Sequence, residues 1–148
     1  MAELTTGLSG AAGEYYAAAE LSRRGFIATV TIRNAERIDI MASRPEGGRT
    51  LQIQVKTIQG DAPKWVLRDK CENHHSPDFF YILVRLGKLG TRPNFHIVPS
   101  KVIAEVVKSS HAIWLGGTKK DGSARKDSSI RNFLDFEGKF KEAWSLLG

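Results

Sequence analysis

The sequence predicts an α/β (α+β) domain in which a helix comes first, a mostly antiparallel sheet of about five strands follows, and further helices close the chain. Three observations carry that expectation. Residues 9–24 are rich in Ala and Glu with apolar positions at helical spacing. Residues 37–42 and 50–58 alternate apolar and polar side chains with period two. Residues 79–84, Phe-Phe-Tyr-Ile-Leu-Val, are almost all apolar, as expected of a strand covered on both faces.

Each element has a local reason. The first helix takes Ser9 as N-cap and ends at Gly25, the residue type that best accepts a left-handed C-terminal position. Phe26 to Ile32 alternates with β-branched residues and is expected to be a strand. The strands at 37–42 and 50–58 are joined by a loop containing Pro45, Gly47 and Gly48, so an antiparallel hairpin is the simplest pairing. A short strand is expected around Lys64-Trp65-Val66-Leu67 and another at Phe95-His96-Ile97-Val98. Ser100 is placed as the cap of a helix over 101–110, with Val102, Ile103, Val106 and Val107 as its buried stripe. Residues 116–129 are polar, basic and glycine-containing, which marks a loop. Phe133, Leu134, Phe136, Phe140, Trp144 and Leu147 are expected to pack back onto the core.

At 148 residues the chain fits a single domain spanning 1–148 and can bury a sizeable core. A hydrophobic share of 41% and a charged share of 26% suit a soluble protein, and no apolar run reaches membrane-spanning length. Glu3 stands where a secretory signal would carry basic residues. The single Cys71 excludes an intramolecular disulfide and suits a reducing cytoplasm. A net charge of +6 and pI of 9.6 favour a polyanionic partner such as nucleic acid.

The residues with chemical potential sit on the hairpin. In Arg37-Ile38-Asp39-Ile40-Met41-Ala42, Asp39 points away from Ile38 and Ile40. In Leu51-Gln52-Ile53-Gln54-Val55-Lys56, Gln54 and Lys56 share the face opposite Ile53 and Val55. A carboxylate, an amide oxygen and an ammonium can therefore meet on one sheet face and hold a divalent metal beside an activated water. On the first helix, Glu14, Ala17, Ala18 and Leu21 form one stripe, which turns Glu14 toward the sheet. Plainer roles stand beside these. Glu14 can be a helix-start acid solvated at its tip, and Asp39 can be a half-exposed strand residue paired with Arg37 or Arg33.

Gly13-Glu14 on the first helix, Asp39 at a strand and Gln54-x-Lys56 on the next resemble the PD-(D/E)xK nuclease superfamily, in the variant with Gln at the second acidic position. The resemblance covers roughly residues 10–58 closely and the rest only in element order. It implies a restriction-endonuclease-like mixed sheet between helices and Mg²⁺-dependent cleavage of phosphodiester bonds in DNA, with Mn²⁺ as a substitute. It implies Asp39 as the principal metal ligand, Gln54 as a carbonyl-oxygen ligand, Glu14 as a further metal contact, and Lys56 as the group orienting the attacking water. Ile38 stands where the family pattern has Pro, and Gln54 leaves two carboxylates rather than three. A homodimer would suit two cuts on a duplex. A nuclease-fold module that binds nucleic acid or a partner protein without cutting is the alternative, and a small regulatory partner protein a third.

Other candidates are weaker. Cys71, His74 and His75 suggest half a zinc site without a second cysteine to complete it. Lys119, Lys120, Arg125 and Lys126 can grip phosphates or simply be solvated. Trp65, near Lys64 and Arg68, can stack on a base or belong to the core. Gly116-Gly117-Thr118-Lys119 lacks the spacing of a phosphate-binding P-loop.

Overall fold

Sheet-forming residues dominate the middle of the chain, and the computed structural model assembles them into one central sheet with a helix on each face. It describes residues 3–32, 37–135 and 137–148. Helix α1 (Thr6–Arg23) is followed by strands β1 (Ile27–Val30), β2 (Ile40–Ser43), β3 (Thr50–Gln59), β4 (Trp65–Arg68), β5 (Phe79–Leu86) and β6 (Asn94–Pro99). Helix α2 (Ser100–Leu115), strand β7 (Ile130–Phe133) and a 3₁₀ turn (Trp144–Leu147) complete the order. The five-stranded sheet runs β1-β2-β3-β5-β6. Only the central β3–β5 pairing is parallel; β1–β2, β2–β3 and β5–β6 are antiparallel.

Residue alternation along β3 sorts the core into two layers. Leu51, Ile53 and Val55 face α1, where Ala17 and Leu21 are fully buried. On the opposite face Phe79, Tyr81 and Leu83 of β5 meet Ile103 and Val107 of α2 and Trp65 of β4. Strand β5 is buried on both sides, as its apolar run requires. Each large side chain removed from water there contributes roughly 1.5–3 kcal/mol.

Gly13 sets the spacing between α1 and β3. A Cβ at this position would lie 1.8 Å from Thr57 Oγ1 and 2.9 Å from Thr57 Cβ, so only glycine allows this approach.

Several expectations are corrected. Thr5, not Ser9, caps α1 by accepting from the Leu8 N–H at 3.3 Å, and Ser9 lies within the helix. Gly25 does follow the helix end with φ 85°. Pro99 occupies the N-cap of α2, and the Ser100 hydroxyl is drawn instead to the backbone of Ser76, donating to its carbonyl and accepting from its N–H. Val106 is 39% exposed and does not join the stripe of Ile103 and Val107. The C-terminal region supplies a strand, not helices alone: β7 pairs with β4 as a separate two-stranded sheet. Phe133 and Trp144 still pack inward. Arg33 and Phe136 lie outside the described residues.

Candidate active site

Strand β3 holds the centre of the sheet. Its pairing with β5 aligns Gln54 with Tyr81 and Lys56 with Leu83. Gln54 and Lys56 therefore occupy the α2-facing side, half-buried, while Ile53 and Val55 fill the α1 side.

Asp39 is not in the interior of β2, as the alternation suggested, but just before its first residue. Ile40 is registered opposite Ile53, yet the Asp39 N–H also donates to the Ile53 carbonyl, at 2.8 Å. Two residues face one, which is a β-bulge, and bulges re-aim side chains. Asp39 Oδ2 accepts the Val55 N–H at 2.7 Å, taking the place of a ladder carbonyl where β2 leaves β3. The carboxylate is thereby pinned against the peptide that joins Gln54 to Val55. Thr31, just after β1, fixes the same bend, its N–H donating to the Asp39 carbonyl at 2.9 Å and its hydroxyl to the Ile38 carbonyl. Arg37, two residues earlier, adopts φ 69°, a conformation side chains other than glycine rarely take.

Burial pushes the Asp39 carboxyl above its usual range, while the Val55 N–H and the Lys56 ammonium pull it back. Lys56 and Asp39 are thus close enough to feel each other's charge. A cavity of about 240 Å³ opens on this face, lined among others by Arg37, Gln54, Lys56, Arg68 and Lys70. No ion pair joins Asp39 to Arg37 among the described residues.

Glu14 is half-buried on the sheet-facing stripe of α1, next to Gly13 and its contact with Thr57. It approaches from the layer opposite Gln54 and Lys56, toward the end of β3 where β2 has departed. The structure thus sets Asp39 next to Gln54 and Lys56 on neighbouring strands, with Glu14 on the α1 layer, opposite Gln54 and Lys56.

The candidate donors Asp39, Gln54 and Glu14 offer oxygen alone, two carboxylates and one amide carbonyl. Among the described residues no group of three or more His, Cys, Asp or Glu gathers as a metal cluster. Such a set suits Mg²⁺, which needs few protein oxygens and keeps waters or phosphate oxygens in its shell. It does not suit zinc.

The remaining candidates resolve plainly. Trp65 is 1% exposed and donates its indole N–H to the Val84 carbonyl, so it is core and cannot stack on a base. The Cys71 thiol is pushed up to about 11 by burial, and His74 lies against the Phe79 ring. Lys119 and Lys120 are exposed, while Arg125 stacks over Trp114. Arg37, Arg68 and Lys70 were not singled out from sequence as parts of this cavity; isolated cations on separate segments carry no spacing signal. No described helix is long and apolar enough to cross a membrane.

The fold has a known counterpart. The bacterial homing endonuclease I-Ssp6803I is similar to this chain with a TM-score of 0.59 and 15% identity, covering 98% of this chain and 92% of its own. The Holliday junction resolvase Hjc of Archaeoglobus fulgidus gives a TM-score of 0.49 at 14% identity, covering 85% and 84%. No family model matches the sequence, and no curated protein matches it. The first likeness shows the fold: a five-stranded mixed sheet flanked by helices, shared with that homing endonuclease.

Proposed function

We propose that this chain is a divalent-metal-dependent nuclease that hydrolyses phosphodiester bonds in DNA. The observation that carries the reading is the Asp39 carboxylate, fixed by the N–H of Val55, the residue between Gln54 and Lys56, at the point where β2 and β3 separate. The Val55 N–H engages Asp39 Oδ2, and Oδ1 is the oxygen that would face a cation. Asp39 and Gln54 would hold Mg²⁺, with Glu14 as a further oxygen contact. Bound there, the ion would lower the pKa of a water and offset charge on the scissile phosphate.

The chain's own groups do the rest. The Val55 N–H holds one Asp39 oxygen so that the other keeps a fixed direction. Lys56 presents an ammonium that orients the attacking water and complements charge growing on the phosphate oxygens. The half-buried setting of Lys56 and Gln54 strengthens those electrostatic contacts relative to open solvent.

Supercoiled plasmid incubated with Mg²⁺ or Mn²⁺ tests the proposal. Wild-type protein is expected to nick or linearise it, and Lys56→Ala to lose at least a hundredfold in rate, on the order of one electrostatic contact to the transition state. Equal behaviour of the two proteins on every nucleic-acid form tried would refute the catalytic assignment. The neutral Gln54 favours one rival, a non-cutting nucleic-acid-binding module. Salt-sensitive DNA affinity with no heat on Mn²⁺ titration would select it.

A further inference from the structure

The cavity beside Gln54 and Lys56 has an unusual charge balance. Arg37, Lys56, Arg68 and Lys70 line it, and no carboxylate does. Several cations elsewhere have carboxylate partners: Arg24 and Arg92 pair with Glu20, Arg49 with Asp78 and Arg131 with Glu72. None of the four cavity cations is ion-paired among the described residues. Carboxylates stand close by, at Asp39, Asp69 and Glu72; Asp39 is near enough to Lys56 for their charges to interact and Glu72 is taken by Arg131, but none of the three lines the cavity. Four like charges around one small opening give it a positive potential that favours an anion.

Backbone geometry adds a second, independent observation. Arg37 is held at φ 69°, a left-handed conformation that strains any residue with a side chain. That conformation lets the chain turn into the Asp39 bulge while its guanidinium lines the cavity. On the other rim, strand β4 alternates Trp65 and Leu67 inward with Val66 and Arg68 outward, which leaves Arg68 at the opening. Arg68 donates to the Ser129 hydroxyl at 3.3 Å, a contact that orients it without cancelling its charge.

We propose that Arg37, Arg68 and Lys70 form a cradle for the phosphates of a DNA strand, gripping its backbone beside Lys56. The cradle rests on the nuclease reading for the identity of its ligand. It adds a binding role for β4 and the 3₁₀ turn Asp69–Glu72 that follows it. Its contacts go to phosphates, so it positions the strand and carries no base specificity.

The test is fluorescence anisotropy of a short fluorescein-labelled DNA duplex in EDTA, titrated at several KCl concentrations. Arg37→Gly and the double variant Arg68→Ala/Lys70→Ala are compared with Lys88→Ala, which lies in the turn after β5. Arg37→Gly relieves the backbone strain, so it is expected to melt no lower than wild type while binding less tightly. The logarithmic salt slope is expected to fall by about 1 for each phosphate contact removed, equally on unrelated sequences. Lys88→Ala is expected to leave affinity and slope unchanged. Cradle variants that bind with wild-type affinity and slope overturn the proposal, even if the protein cuts DNA. Loss of binding in those variants supports the cradle even if Mg²⁺ and Mn²⁺ elicit no cleavage, in which case the nuclease reading alone fails. Wild-type protein with no measurable DNA affinity overturns both.

Discussion

Replacing Gly13 by Ala measures how tightly α1 must sit on β3. The new methyl carbon would lie 1.8 Å from Thr57 Oγ1, 2.9 Å from its Cβ and 3.0 Å from its Cγ2. Rotating the Thr57 side chain relieves the first and last contacts but not the second, because Cβ is fixed to the strand. The helix must therefore move. Alanine gains about 1 kcal/mol over glycine in a helix interior, and overpacking of this kind typically costs 1–3 kcal/mol. With contacts this short the cost sits at or beyond the upper end, so the net loss is expected to be about 2 kcal/mol. For a domain of this size that is a fall in Tm of roughly 4–8 °C by calorimetry. Thr57→Ala removes Oγ1 and Cγ2, and Oγ1 is a buried hydroxyl with no partner, so that variant alone is expected to be close to neutral. Combined with Gly13→Ala it is expected to recover part of the loss, giving a coupling energy of about 1 kcal/mol. A Gly13→Ala variant as stable as wild type would refute the close-approach account. So would a double variant whose losses simply add.

Two further outcomes follow from the charges. Hydrogen bonds from Arg92 hold the Glu20 and Glu142 carboxyls below their usual range, against the opposing effect of burial. A lowered carboxyl contributes stability above its unfolded pKa, near 4.5, and that contribution is lost as pH falls through the lower folded value. Arg92→Ala is therefore expected to cost about 1–2 kcal/mol at pH 7 in chemical denaturation, with the gap to wild type closing below about pH 4. A gap independent of pH would contradict this. Asp39 has the opposite sign: its raised pKa means the ionised form is disfavoured in the fold, a penalty absent below its unfolded pKa of 3.8 and growing as pH rises. Asp39→Asn keeps an acceptor for the Val55 N–H, so it is expected to raise Tm at pH 7 while abolishing cleavage. A lower Tm would show that the carboxylate itself holds the strands together.

The strands were legible because their faces are. Alternation in β3 and the apolar run in β5 specify one-sided and two-sided burial without reference to the rest of the chain. Long-range partners leave no such mark. Glu20, set apart from the sheet-facing stripe by spacing, is 6% exposed because Arg92, distant in sequence, reaches it. The bulge at Asp39 was hidden because Arg37 takes its left-handed conformation without a glycine to announce it. Strand β7 was hidden because its partner, β4, stands at the far end of a sequence gap that includes the whole of α2. For the candidate site, residue types on neighbouring strands pointed to Asp39, Gln54 and Lys56, which the fold sets near one another, whereas the added cations came into view only with the cavity.

A crystal soaked in Mn²⁺ probes the metal assignment directly, with anomalous scattering to place the ion. The account predicts a single strong peak within coordination distance of Asp39 Oδ1 and the Gln54 side-chain oxygen, absent from an Asp39→Asn crystal treated the same way. Manganese found only elsewhere on the molecule, or an undiminished peak in the variant, would contradict it.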